Sequence, residues 1–103
     1  MSRQIVAQSE IRDLRIAKDT LEQMGISYRE ASENILSIKR SYRDIVINCH
    51  LGQVSYDNMY QAEVNRIQQT YMANFFKDRA IREGNQCQQT VNENGEIVIT
   101  ITH

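Results

Sequence analysis

Residues 11–25 constrain the fold more than any other stretch, because they mark a helix at both ends. Asp13 stands where an N-cap belongs, its carboxylate able to accept from the free backbone N–H groups of a first turn. Leu14, Ala17, Leu21 and Met24 follow at i, i+3, i+7 and i+10, one face of a 3.6-residue period. Gly25 supplies the left-handed residue that stops the helix. A helix apolar on one side must bury that side against another layer, so the rest of the chain has to provide one.

Strand signals provide it. Ile5, Val6 and Ala7 sit between polar neighbours in 3–8, which fits a short first strand. Segments 26–32 and 35–39 carry weaker alternation, with Ser32-Glu33-Asn34 as the turn between them. The Ile45-Val46-Ile47 centre of 42–49 is the clearest strand of the middle region. His50-Leu51-Gly52-Gln53 reads as a hairpin turn, with Gly52 free to take positive φ, and Val54 and Tyr56 alternate on the returning strand.

A second helix is expected to open at a capping box formed by Asn58 and Gln61 and to close at Gly84. Tyr60, Val64, Ile67, Tyr71, Phe75 and Ile81 trace its apolar stripe. Roughly 25 residues at 1.5 Å each give about 37 Å, long for a small domain. Such a helix either overhangs onto a second subunit or bends near Asn74. The tail reads as a hairpin, 86–91 out and 96–102 back around Asn94-Gly95, with Ile97, Ile99 and Ile101 on the core-facing side. The order is β-α-(β)-β-β-α-β-β, and the simplest burial is an α+β domain with both helices on one face of a mostly antiparallel sheet.

The 103 residues suit one domain. A net charge of −1 exerts no global pull on nucleic acid or anionic lipid, so neither is an expected partner. Cys49 and Cys87 are read as reduced thiols, and the N-terminal residues lack an apolar secretory core, which points to a cytoplasmic protein.

Residues 11–25 resemble the opening helix of a small uncharacterised family found among hypothetical chloroplast and cyanobacterial reading frames, and also in other bacteria and phages. That family opens with a short strand, an Ile-Lys-Asp-Leu start and a Leu-rich helix ending in Gly; here the start is Ile11-Arg12-Asp13-Leu14. Residues 65–71, Asn-Arg-Ile-Gln-Gln-Thr-Tyr, resemble its Gln-Arg-Tyr-Ala helix, followed by Gly84 and a two-stranded ending turned at Asn94-Gly95. Order and spacing carry the likeness, over roughly half the chain. Family members have a longer middle section with tryptophans and often end in Arg-Trp, whereas this chain has no Trp and ends in Thr102-His103. The resemblance implies a fold and an intracellular setting, and no activity.

Chemistry-bearing clusters are sparse. Cys49, His50, Cys87 and His103 are the whole supply of soft metal ligands, from unrelated places, so no metal is expected. Asp44 and Asp57 approach across the middle hairpin but read as solvated turn and edge residues. Each glycine is accounted for as a turn or a cap, so no phosphate loop exists. Two groups remain. Tyr56, Tyr60 and Tyr71 share the second helix or its entrance with Asn65, Arg66 and Asn74, a set able to stack on and hydrogen-bond a nucleobase. Lys39, Arg40 and Arg43 with Tyr42 form the one basic cluster. The reading is a non-enzymatic binding or interaction module without a cofactor, homo-oligomeric through its long helix or last strand. Its alternative is a pocket protein that sequesters a small nucleotide-like anion with Tyr42, Arg43, Tyr71 and Asn74, and with Tyr56 and Arg66 nearby.

Overall fold

The computed structural model describes residues 3–83 in full, together with the backbone of 86–91 and 97–102. In chain order it runs β1 (Gln4–Gln8), α1 (Leu14–Gln23), β2 (Arg29–Ser32), β3 (Ile35–Ile38), β4 (Ile45–Asn48), β5 (Gln53–Asp57), a 3₁₀ turn (Asn58–Tyr60), α2 (Gln61–Arg82), β6 (Gln86–Val91) and β7 (Ile97–Thr102). The first five strands form an antiparallel sheet in the order β1-β5-β4-β3-β2. β2 to β5 are a meander, and β5 returns to pair with β1, so α1 spans from one edge of the sheet to the other. Among the described residues β6 and β7 pair with each other as a separate two-stranded sheet.

Period-two alternation divides the sheet faces. Leu36, Ile38, Ile45, Ile47, Val54 and Tyr56 point to one side and are buried; Ile5 and Ala7 of β1 extend that surface. Ile11, Ile16, Ala17 and Leu21 from α1 and Val64, Ile67 and Tyr71 from α2 pack on it as a single core. Both helices therefore cover one face. The other face carries Gln4, Val6, Arg29, Ser37, Val46 and Ser55, and no described helix lies on it.

The helix ends follow local chemistry. Asp13 Oδ1 accepts from Ile16 N–H at 3.1 Å. At the other end Gly25, at φ +71°, lets its own N–H reach the Glu22 carbonyl and Ile26 N–H reach the Leu21 carbonyl, the paired bonds of a Schellman stop. Ile16 and Thr20 are buried along with Ala17 and Leu21, while Leu14 and Met24 are only half-buried, so the buried stripe is rotated from the expected one.

Several expectations are corrected. Asn58 does not cap α2. Its Oδ1 accepts from Arg3 N–H, and Gln61 Oε1 is taken by the Tyr56 hydroxyl at 2.8 Å. Asp57 instead caps the 3₁₀ turn through Met59 N–H, and α2 starts at Gln61 with no side-chain cap. β2 starts at Arg29 rather than at residue 26, and β4 is confined to Ile45–Asn48, which leaves Tyr42 and Arg43 on a loop. Ile81 is 64% exposed and does not belong to the sheet-side stripe. The helix stop at Gly84, the Asn94-Gly95 turn and the side chains of Ile97, Ile99 and Ile101 lie outside the described residues.

α2 has 22 residues and is buried on two opposite sides. Val64, Ile67 and Tyr71 face the sheet. Ala73 and Ala80 fall on the opposite side at 3.6 residues per turn, yet they are also buried and stand apart from the sheet core. β6 and β7 both contact α2. The helix is thus an inner layer, and its length gives no argument for a second subunit.

Candidate functional site

The expected ligand residues do not converge. Tyr71 is 1% exposed, and its hydroxyl accepts from the backbone N–H groups of Arg12 and Asp13 at 3.3 and 3.0 Å. Burial pushes its phenol above the ordinary value, partly offset by those two amide donors. Tyr56 is 3% exposed and bonded to Gln61. Neither ring has a face left for a base. Asn74 lies between the helices and donates to Thr20 Oγ1 and Gln23 Oε1 at 3.0 and 2.9 Å. Arg66 is exposed on α2, away from the sheet-side core, and Asn65 accepts from Gln61.

The basic cluster proves to be a set of clamps on the β3–β4 loop. Arg40 makes a two-pronged pair with Glu63 at 2.7 and 2.8 Å on the helix side, which holds its guanidinium pKa above the ordinary value. Arg43 turns to the open face, where it donates to Gln4 Oε1 at 3.2 Å and stands 3.6 Å from Asp57 Oδ2. Tyr60 Oη accepts from Tyr42 N–H at 3.2 Å, while the Tyr42 side chain itself is 58% exposed. Asp44 accepts from Arg40 N–H and Ser37 Oγ. Asp57 is not a solvated edge residue. It is fully buried, with Oδ1 on Met59 N–H and with Oδ2, which has no hydrogen bond among the described residues, 3.6 Å from Arg43 Nε.

Cys49 and His50 diverge, the first buried and the second exposed. Burial, then the nearby Asp13 charge, pushes the free Cys49 thiol up to about 11, which suppresses the reactive thiolate. Among the described residues no three His, Cys, Asp or Glu side chains group as a metal would require, and no helix is long and apolar enough to cross a membrane. The Cys87 side chain and His103 lie outside the described residues.

What the structure does assemble is a groove of about 430 Å³ on the open face where β2 and β3 leave the sheet. Ser27, Tyr28, Arg29, Ser37, Lys39 and Asp44 line it. Arg29 is opposite Ser37 at the end of the ladder, and Ser27 and Lys39 line the groove just beyond it. Arg29 and Lys39 are exposed, and among the described residues neither has an acidic partner within 4.0 Å, unlike Arg15, Lys18, Arg40, Arg43, Arg79 and Arg82. The Tyr28 hydroxyl donates to Glu22 at 2.8 Å, which pushes its pKa up to about 12 and keeps it neutral. The groove therefore offers two cations and the Ser27 hydroxyl, against one carboxylate, Asp44, that already accepts from Ser37 Oγ. Lys39 belonged to the expected basic cluster; Ser27, Arg29 and Ser37 did not. The alternation Ser27-x-Arg29 leading into β2 and Ser37-x-Lys39 leading out of β3 was the signal that could have found them.

The chain matches no protein-family model, no curated protein and no solved structure.

Proposed function

We propose that this chain is a small non-enzymatic binding module that holds a compact anion, phosphate- or nucleotide-like, in the open-face groove between Arg29 and Lys39. The observation that supports the reading is a groove that brings together Arg29 and Lys39, which among the described residues have no acidic side chain within 4.0 Å, beside the Ser27 hydroxyl. An anion seated there would meet Arg29 at the start of β2, Lys39 just past the end of β3 and the hydroxyl of Ser27, while Ser37 Oγ stays on Asp44. Asp44 beside it would accept from a donor such as a sugar hydroxyl or an exocyclic amine. The volume lies within the usual range for small-ligand sites, about 300–1,000 Å³. The net charge of −1 leaves selectivity to this local field rather than to the whole molecule.

The test is thermal unfolding with inorganic phosphate and a panel of mono-, di- and cyclic nucleotides. Ligand at a hundred times its Kd adds about 2.7 kcal/mol of stability. The expected result is a rise in Tm with at least one phosphate-bearing ligand, lost in the Arg29→Ala/Lys39→Ala double variant. A flat panel, or a shift that survives the double variant, overturns the assignment of the groove.

A further inference from the structure

We infer that β1 is a self-pairing edge, through which two copies of this chain join their five-stranded sheets antiparallel about a twofold axis at Val6. The proposal is independent of the groove, which lies at the far edge of the sheet.

The hydrogen-bond phase of β1 is fixed by its inner neighbour. Ser9 N–H donates to the Gly52 carbonyl and Asn58 N–H to the Arg3 carbonyl, each at the end of the β1–β5 ladder. In an antiparallel pair the bonded positions alternate, so Arg3, Ile5, Ala7 and Ser9 are spent on β5. The N–H and C=O groups of Gln4, Val6 and Gln8 point away from the sheet. All three residues are exposed, and Val6 is 61% so, unusual for a β-branched residue on a strand.

The two edges of the sheet are treated differently. β2 carries Arg29 and Glu30 and breaks its register between Glu30 and Ser32, which are ordinary guards against edge pairing. β1 reads Gln-Ile-Val-Ala-Gln, with no charge, no proline and no bulge in its pairing with β5. Its sequence also suits a twofold axis. Turned antiparallel on itself about Val6, the strand sets Val6 against Val6, Gln4 against Gln8 of the second copy and Ile5 against Ala7 of the second copy. Every outward amide then meets an outward carbonyl, because the paired residues are the same even-numbered set. The strand ends complement each other in charge. Arg3 of one copy comes beside Ser9 and Glu10 of the other, and among the described residues neither Arg3 nor Glu10 is within 4.0 Å of an opposite charge. Such an axis runs perpendicular to the sheet, so the helices of both copies stay on one face and both open faces lie on the other. The half-buried Ile5 and Ala7 at the rim of the core gain cover from their counterparts.

Pairing five-residue strands buries less than a standard interface, so the dimer is expected to depend on concentration, and sedimentation should extend to about 500 µM chain. The expected mass at the upper end is about twice the 12.0 kDa chain. Val6→Lys sets two like charges against each other on the axis and should return the mass to 12.0 kDa with an unchanged far-UV spectrum. Ala31→Lys, on the opposite edge, should leave the dimer intact. Backbone amide exchange on the unaltered chain gives a second readout that needs no variant. At high concentration Gln4, Val6 and Gln8 should be protected along with Ile5 and Ala7, and on dilution the even-numbered set should lose protection first. A monomer across the whole range, a dimer that survives Val6→Lys, or even-numbered amides that exchange fast in the dimer would each overturn the proposal.

Discussion

Tyr71 joins the hydrophobic core to the start of α1. Its ring is buried beside Val64 and Ile67, while its hydroxyl accepts from the two amides that precede the helix, those of Arg12 and Asp13. Those amides come before the first helical turn and have no carbonyl four residues back to bond. Tyr71→Phe would keep the packing and remove both acceptor contacts at once. Leaving these two part-buried donors without their acceptor should cost about 1–3 kcal/mol. Urea unfolding should show that loss, whereas Tyr60→Phe, which removes a single contact to an exposed amide, should cost less than about 1 kcal/mol. Equal effects from the two would mean that the Tyr71 hydroxyl is not what holds the head of α1.

At the scale of elements, two glycines at nearly the same φ test different causes. Gly25 ends α1 at φ +71°, and a methyl group there would meet nothing within 4 Å. Gly52 turns the β4–β5 hairpin at φ +66°, and a methyl group there would come within 2.8 Å of the Arg12 guanidinium. Gly25→Ala should therefore cost only the left-handed strain, about 1–2 kcal/mol. Gly52→Ala should cost more by the Arg12 contact, and in the Arg12→Ala background that excess should disappear. A double-mutant cycle should return a coupling of about 0.5 kcal/mol or more, and a coupling of zero would show that Arg12 swings clear at no cost. Both glycines were legible in the sequence, as were Asp13 and the succession of strands and helices along the chain, because caps and tight turns are written within a few residues. The start of α2 was not. Asn58 and Gln61 have the spacing of a capping box, but Arg3 and Tyr56, both remote in sequence or on another element, claim their side chains. The candidate site escaped for a related reason. Arg29 and Lys39 are ten residues apart in the chain and meet only through the β2–β3 register. Arg40 and Arg43, next to Lys39 in the chain, differ from it only through the fold, which sets them against Glu63 and Asp57.

At the scale of the whole molecule, α2 is the element that the sheet and the β6–β7 ribbon share. A helix covered from one side shows a clear apolar stripe, and sequence periodicity finds it. A helix covered from two opposite sides spreads its apolar residues around the barrel, so the stripe blurs and the extra length looks like an overhang. Ala73 and Ala80 are the residues that decide between these pictures, since they are 3% and 2% exposed on the side away from the sheet. If that second layer stands in solution, there is no room for a larger side chain at either place. Ala80→Leu and Ala73→Leu should each destabilise by about 1–3 kcal/mol through overpacking. Ile81→Ser, one residue further along but 64% exposed, should change stability by less than about 0.5 kcal/mol. Thermal and urea unfolding followed by far-UV dichroism provide the comparison. Should the two leucine variants prove as harmless as Ile81→Ser, the ribbon side of α2 would be open. The helix would then present an uncovered alanine face, the expected overhang would return, and a second copy would have two surfaces to choose from instead of the β1 edge alone.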